Sequence, residues 1–144
     1  MKRLLSFMAL ALVVVAASGC ASGPGFKSVS ASFPPVATGN SRIFFYRTAL
    51  MGAAVQPDVK LNGEKVGSAV PGGFFYVDRP PGDYEVTTTT ELKKALTFHL
   101  DPGQVRYVRL NISMGFMVGH VYPELIDEPE AKGELDKTKS VAKS

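Results

Sequence analysis

Residues 41–127 of this chain predict an all-β domain, a single antiparallel β-sandwich of seven to eight short strands. Three observations carry that expectation. Short runs rich in aromatic and β-branched residues recur between Gly, Pro and Asn turn signals, several of them alternate apolar and polar residues, and no helical periodicity extends over a useful length between 42 and 126. Many short strands at such spacing belong to sandwiches or small open barrels.

Ahead of the domain, Lys2 and Arg3 introduce a 13-residue apolar run, Leu4 to Ala16, which gives way to Ala17, Ser18 and Gly19. A basic start, a short apolar run and a small-residue exit predict a secretory signal over residues 1–19, because a membrane-spanning helix needs about 20 apolar residues. The small residues lead directly into Cys20, the only cysteine of the chain. Ser18-Gly19-Cys20 resembles a bacterial lipobox, with Ala17 where that pattern prefers leucine. The resemblance implies cleavage between Gly19 and Cys20 and acylation of Cys20. It also implies, with Ala21 rather than Asp after the cysteine, a lipid-anchored protein on the periplasmic face of the outer membrane. The alternatives for Cys20 are a spare thiol left by ordinary cleavage, or a nucleophile. The second is disfavoured because the surrounding segment offers no scaffold to hold a base beside the sulfur. With no second cysteine, no disulfide within the chain supports the fold.

Residues 20–40, the cysteine followed by ASGPGFKSVSASFPPVATGN, are rich in Ser, Gly, Ala and Pro and read as a flexible linker. Twenty such residues span about 25 Å as a random coil and at most roughly 70 Å extended, enough for the domain to stand clear of a membrane. Phe26 and Phe33 are incidental to that reading, although either could dock on the domain.

The strands follow in order. Arg42 to Thr48 is aromatic and β-branched. Val55 to Leu61 and Glu64 to Gly67 flank Asn62-Gly63, the strongest hairpin signal in the chain, since both residues tolerate positive φ. Gly72-Gly73 precedes Phe74 to Asp78. Pro81-Gly82 turns into Asp83 to Glu91, where Tyr84, Val86, Thr88 and Thr90 share one face. From Ala95 to Asp101, Leu96, Phe98 and Leu100 oppose Thr97, His99 and Asp101. The Pro102-Gly103 turn leads to Val105 to Ile112, and a last run, Phe116 to Leu125, contains Gly119 and Pro123. The tail, residues 128–144, carries no aromatic residue and balanced charge, and reads as disordered, with a partner-induced helix as the alternative.

Removing residues 1–19 takes away Lys2 and Arg3 and lowers the formal charge from +3 to +1, and residues 41–127 hold nine Lys and Arg against nine Asp and Glu. A neutral domain has little field for gathering phosphates, which disfavours nucleic acid as a partner. His99 and His120 lack zinc-site spacing, and neither a nucleophile elbow, a Walker loop nor an H-E-x-x-H motif is present. No catalytic residue, metal ligand or cofactor is expected. Met114 and Met117 suit core filling better than soft-metal ligation.

Phe-Phe-Tyr occurs twice, as Phe44-Phe45-Tyr46 and Phe74-Phe75-Tyr76. Successive strand residues point to opposite faces. Either both faces are covered, or the triplets form an exposed patch for an envelope protein or a glycan strand. The patch reading expects Phe45 or Phe75 to face solvent.

Two family resemblances add to this. Val59 to Gly67 with Pro81 to Val86 looks like the hairpin and Pro-Gly turn of PEGA surface domains. From Ser41 to about Asp127 the chain is similar to the bacterial family named domain of unknown function 2846, through RIFFYRT, VKLNGEKVG, DRPPGDYEV, DPGQVRYVRLNIS and GFMVGHVYPEL. Many of its members look like lipoproteins, and the resemblance implies no reaction. The expected role is a lipid-anchored binding or assembly module. A glycan- or lipid-modifying enzyme and a passive spacer are its rivals.

Overall fold

The computed structural model describes residues 19–115 and 119–141, apart from the side chains of residues 91–93. Residues 1–18 of the expected leader lie outside the described residues, as do Phe116 and Met117. A short helix, α1 (Phe26–Val29), and a 3₁₀ turn (Ser30–Ser32) precede eight strands: β1 (Ser41–Tyr46), β2 (Asp58–Leu61), β3 (Glu64–Ser68), β4 (Gly73–Arg79), β5 (Gly82–Thr88), β6 (Glu91–Leu100), β7 (Val105–Met114) and β8 (Gly119–Ile126). Helix α2 (Glu128–Leu135) and a two-residue strand, β9 (Lys139–Ser140), complete the order.

The turns form where the sequence places them. Asn62 and Gly63 both take positive φ (48° and 83°), the backbone of a tight hairpin between β2 and β3. At Pro102-Gly103, Gly103 sits at φ 71° and the Gln104 N–H donates to the Asp101 carbonyl at 3.1 Å, closing the turn into β7.

The strands make two sheets, one of five in the order β8-β7-β1-β4-β9 and one of four in the order β3-β2-β5-β6. The chain is therefore all-β in its framework, but the expected purely antiparallel arrangement is corrected. β1 runs parallel to β7, from Arg42 opposite Val105 to Tyr46 opposite Arg109, and β4 runs parallel to β9. The physical reason is connectivity: parallel neighbours cannot be joined by a hairpin. The chain leaves β1 for β2 and β3 of the second sheet and comes back beside β1 as β4. It completes the second sheet with β5 and β6, and pairs with the other side of β1 only at β7.

One apolar core is shared by the two sheets. Ile43 and Phe45 of β1, Val108 and Leu110 of β7 and Val121 of β8 pack with Val59 and Leu61 of β2, Val86 of β5 and Phe98 and Leu100 of β6. Thr88 ties the sheets by donating to the Val121 carbonyl at 2.5 Å. A second cluster lies on the other face of the five-stranded sheet, where Phe44, Tyr46, Phe74 and Tyr107 meet Phe26 and, from α2, Ala131 and Leu135.

That second layer overturns two expectations. The linker does not hang free over 21–33. Ala21 donates to the Pro71 carbonyl, Gly23 to Ser140 and Phe26 to Thr138. The Phe26 ring meets Phe74 edge-on at 5.2 Å, and Phe33 meets Tyr76 at 5.1 Å. Fully burying a phenylalanine contributes roughly 1.5–3 kcal/mol, which adds to these backbone hydrogen bonds in offsetting the cost of ordering the strap. The tail is not disordered over the described residues either: Ala131 and Leu135, four apart, face the sheet, and Asp127 and Pro129 start the helix.

The five-stranded sheet has two distinct ends. At the Ser41 end, the Asn40 carbonyl accepts from Gly103, and Ser41 donates its hydroxyl to the Asp101 carbonyl. At the Tyr46 end, the Arg47 N–H donates to Gly73, and residues 110–114 of β7 overhang the last β1 residue.

Candidate functional site

Cys20 is an exposed free thiol at the Tyr46 end. Its position follows from its neighbours, since Ala21 is bound to Pro71 and the Gly19 carbonyl accepts from Gln56 Nε2 at 3.1 Å. Cys20 thus lies between the turn before β4 and the loop of residues 48–56. Beneath that loop Arg47 is fully buried. Its guanidinium donates to the carbonyls of Val55 (2.6 Å), Met51 (2.8 Å), Ala69 (2.9 Å) and Gly52 (3.1 Å), so one side chain fixes both the loop and the chain entering the turn. Burial pushes its pKa down, opposed by the nearby Cys20. Leu50 and Met51 on this loop, and Met114 at the end of β7, are each 60 % exposed.

The second candidate lies on the four-stranded sheet. An open depression of about 540 Å³ is lined by Asn62, Asp83, Tyr84, Glu85, Thr97, Phe98 and His99. Cross-strand pairing builds it, with Asp83 opposite His99, Tyr84 opposite Phe98 and Glu85 opposite Thr97. The exposed face carries the polar groups, and Phe98, on the other face, belongs to the core. Asn62 at the β2–β3 turn closes one side, its Oδ1 accepting from the Glu85 N–H at 2.8 Å. His99 Nδ1 is 2.7 Å from Asp83 Oδ1, and Nε2 is 3.5 Å from Asp101 Oδ1. The hydrogen bond to Asp83 raises the His99 pKa, helped by the charges of Asp83 and Asp101 and opposed by Arg106. Both partners stand in water, so the pair is a polar surface feature with a tunable charge. His120 makes a separate contact, Nδ1 lying 2.8 Å from the Thr90 carbonyl. Among the described residues no group of three His, Cys, Asp or Glu side chains could hold a metal ion.

The two Phe-Phe-Tyr triplets come together, but not as an exposed patch. β1 and β4 pair in register, with Phe44 opposite Tyr76, Phe45 opposite Phe75 and Tyr46 opposite Phe74. Phe45 is fully buried and stacks on Phe75 at 5.0 Å within the inter-sheet core. Phe75 is only partly buried, but its ring is packed against Gly67, where a β-carbon would come within 2.6 Å of it. Phe44, Tyr46 and Phe74 are buried under the strap and α2, and Tyr76 is half-buried beneath Phe33 and the Arg42 guanidinium. The expected solvent-facing ring fails because this sheet is covered on both faces.

One polar cluster escaped the sequence reading. Arg109 Nη1 bonds Glu130 and Glu134 at 2.8 Å each, and its Nη2 bonds Glu124 at 2.9 Å. Tyr46 donates its hydroxyl to Glu134 at 2.5 Å. Burial and the Glu134 hydrogen bond push the tyrosine pKa up, and Arg109 with Asn111 pulls Glu124 down. The cluster clamps α2 to the sheet. The available signal was Glu130 and Glu134 four apart beside Ala131 and Leu135.

With this geometry in place, comparison with known proteins identifies the family. A family model described as "Protein of unknown function (DUF2846)" matches residues 37–121, more than half of the chain. The chain belongs to the DUF2846 family. The DUF2846 match takes in β1 to β7, the start of β8 and the whole polar depression, while Cys20, the strap and α2 lie outside it. An uncharacterized protein of Haemophilus influenzae is 27 % identical over 142 residues, covering 94 % of this chain and 84 % of that relative. No solved structure matches.

Proposed function

We propose that this DUF2846 protein is a lipid-anchored module of the cell envelope, a β-sandwich held to the membrane by acyl groups on Cys20. It presents the depression at His99 to an envelope protein or a glycan. The observation that carries the reading is the exposed, unpaired Cys20 directly behind a lipobox-like exit, at one end of a fold whose polar depression lies toward the other. Acylation at two or three chains makes attachment stable, since each buried methylene contributes about 0.8 kcal/mol. Ala21 after the cysteine supports the periplasmic face of the outer membrane. The depression offers the exposed carboxylates of Asp83 and Glu85 beside His99 and Thr97, acceptors and donors suited to sugar hydroxyls or a polar peptide.

A depression without a buried nucleophile or acid beside it favours binding over catalysis, because His99 and Asp83 are both solvated. Growing cells with a fatty-acid analogue tests the anchor. Wild type should take up label and Cys20→Ala should not; an unlabelled wild type, or label persisting in the variant, refutes it. In vivo photocrosslinking from Glu85 and Thr97 should recover one specific adduct, and recovery of abundant bystanders alone points to a passive spacer.

A further inference from the structure

Wherever the acyl chains of Cys20 enter a bilayer, the domain surface around Cys20 has to follow, because the next residue, Ala21, is already hydrogen-bonded to Pro71. There is no slack for the domain to stand off unless the strap detaches. The surface there is unlike the rest of the molecule. Leu50 reaches the β4 turn, its Cδ2 lying 3.1 Å from where a β-carbon on Gly72 would stand, and the neighbouring Gly73 packs on Ala21 in the same sense. Met114 and Val55 meet over Gly119, each about 3.4 Å from its would-be β-carbon. These contacts link Ala21, Leu50, the rest of the loop and the β7–β8 end into one continuous surface.

The four segments that converge here are residues 19–26, 48–57, 69–73 and 110–115, and none contains Asp, Glu, Lys or Arg. Lys139, paired opposite Gly73, borders the group, where a cation suits anionic headgroups. Arg47 spends its charge inward on four carbonyls, so the loop is held rigid without putting a charge on its outer side.

We propose that this end is a membrane-seating face, with Leu50, Met51 and Met114 inserted into the interface of the bilayer that Cys20 is anchored in. The proposal rests on the reading of Cys20 as acylated. The domain then lies directly on the lipid surface with one fixed end down, and the His99 depression is held away from it.

Acylation of Cys20 blocks its thiol, so a single introduced cysteine can be labelled selectively. The full acylated chain carrying Leu50→Cys, Met51→Cys or Met114→Cys, with Thr97→Cys as the far-end control, is labelled with a fluorophore. Each is reconstituted in vesicles of phosphatidylethanolamine and phosphatidylglycerol that contain a nitroxide-bearing lipid. Fatty-acid label and thermal unfolding are read on the same samples. Several-fold stronger quenching at 50, 51 and 114 than at 97 is expected. Equal quenching at all four positions in acylated, folded protein overturns the seating face while leaving the anchor intact. Shielding of 50, 51 and 114 from both lipid-borne and aqueous quenchers overturns it in favour of a protein partner. Absence of the fatty-acid label removes its premise and refutes it together with the anchor.

Discussion

At the Tyr46 end of the molecule the large apolar side chains left in solvent are, among the described residues, Leu50, Met51 and Met114, in segments without a charge. In the depression on the four-stranded sheet the exposed side chains are Asp83, Glu85, Thr97 and His99. The two regions also differ in how they are held. The apolar end depends on long-range ties, through Arg47 to its loop and through the Phe26 strap across the sheet. The polar depression is built by nearest-neighbour pairing of β5 and β6. A domain bound for free solution has no need of such a division. One fixed to a surface does, because its two ends meet different surroundings, and the end built from uncharged segments is the one that carries Cys20, the proposed site of acylation.

The contrast can be broken most severely at Arg47. Arg47→Met leaves four carbonyls without their donor, one fully buried and three partly so. A buried unsatisfied group costs about 1–3 kcal/mol, so unfolding in urea should show a loss of about 3 kcal/mol or more. Phe26→Ala should cost about 3 kcal/mol. It should also free residues 21–33 to proteolysis while the β5–β6 pairing keeps its hydrogen-exchange protection; unchanged protection of the strap would mean that Phe26 does not hold it. Tyr46→Phe removes one hydrogen bond to Glu134 and should cost about 1 kcal/mol, seen as faster exchange in α2 alone.

The smallest effect belongs to the depression. The His99 titration followed by NMR should have its midpoint above the ordinary histidine value of 6.5, and Asp83→Asn should lower it. Because the folded pKa is the raised one, the stabilising contribution is fully present below the unfolded value and fades as pH rises through the folded value. Glu124 has the opposite sign: Arg109 and Asn111 depress its pKa, so its share of the α2 clamp is present above the unfolded value and is lost as pH falls through the folded one.

Much of the framework was legible in the sequence because it is local. Asn62-Gly63 and Pro102-Gly103 specify their turns through backbone geometry, and the alternation of Leu96, Phe98 and Leu100 with Thr97 and His99 separates core from depression. The parallel pairing of β1 with β7 left no such trace, since it is decided by the whole second sheet lying between them in the chain. The covers on the outer sheet face were hidden for another reason. Phe26 is one ring in a Ser- and Gly-rich stretch, and its hole among Phe44, Phe74 and Phe33 exists only once the strands are paired. Helix α2 buries just Ala131 and Leu135, too thin an apolar stripe to announce itself, although Asp127, Glu128, Pro129 and Glu130 are good helix-start residues. The aromatic triplets misled because two covered faces look, in sequence, like one covered face and one exposed patch.

The central claim is that Cys20 is the acylated first residue of the working protein. The most direct measurement is the intact mass of the protein extracted from membranes. The account predicts a chain beginning at Cys20 and carrying the added mass of a diacylglyceryl group, with the fragment containing Cys20 bearing all of it. A chain that starts elsewhere, or an N-terminal fragment with an unmodified Cys20 thiol, would contradict it.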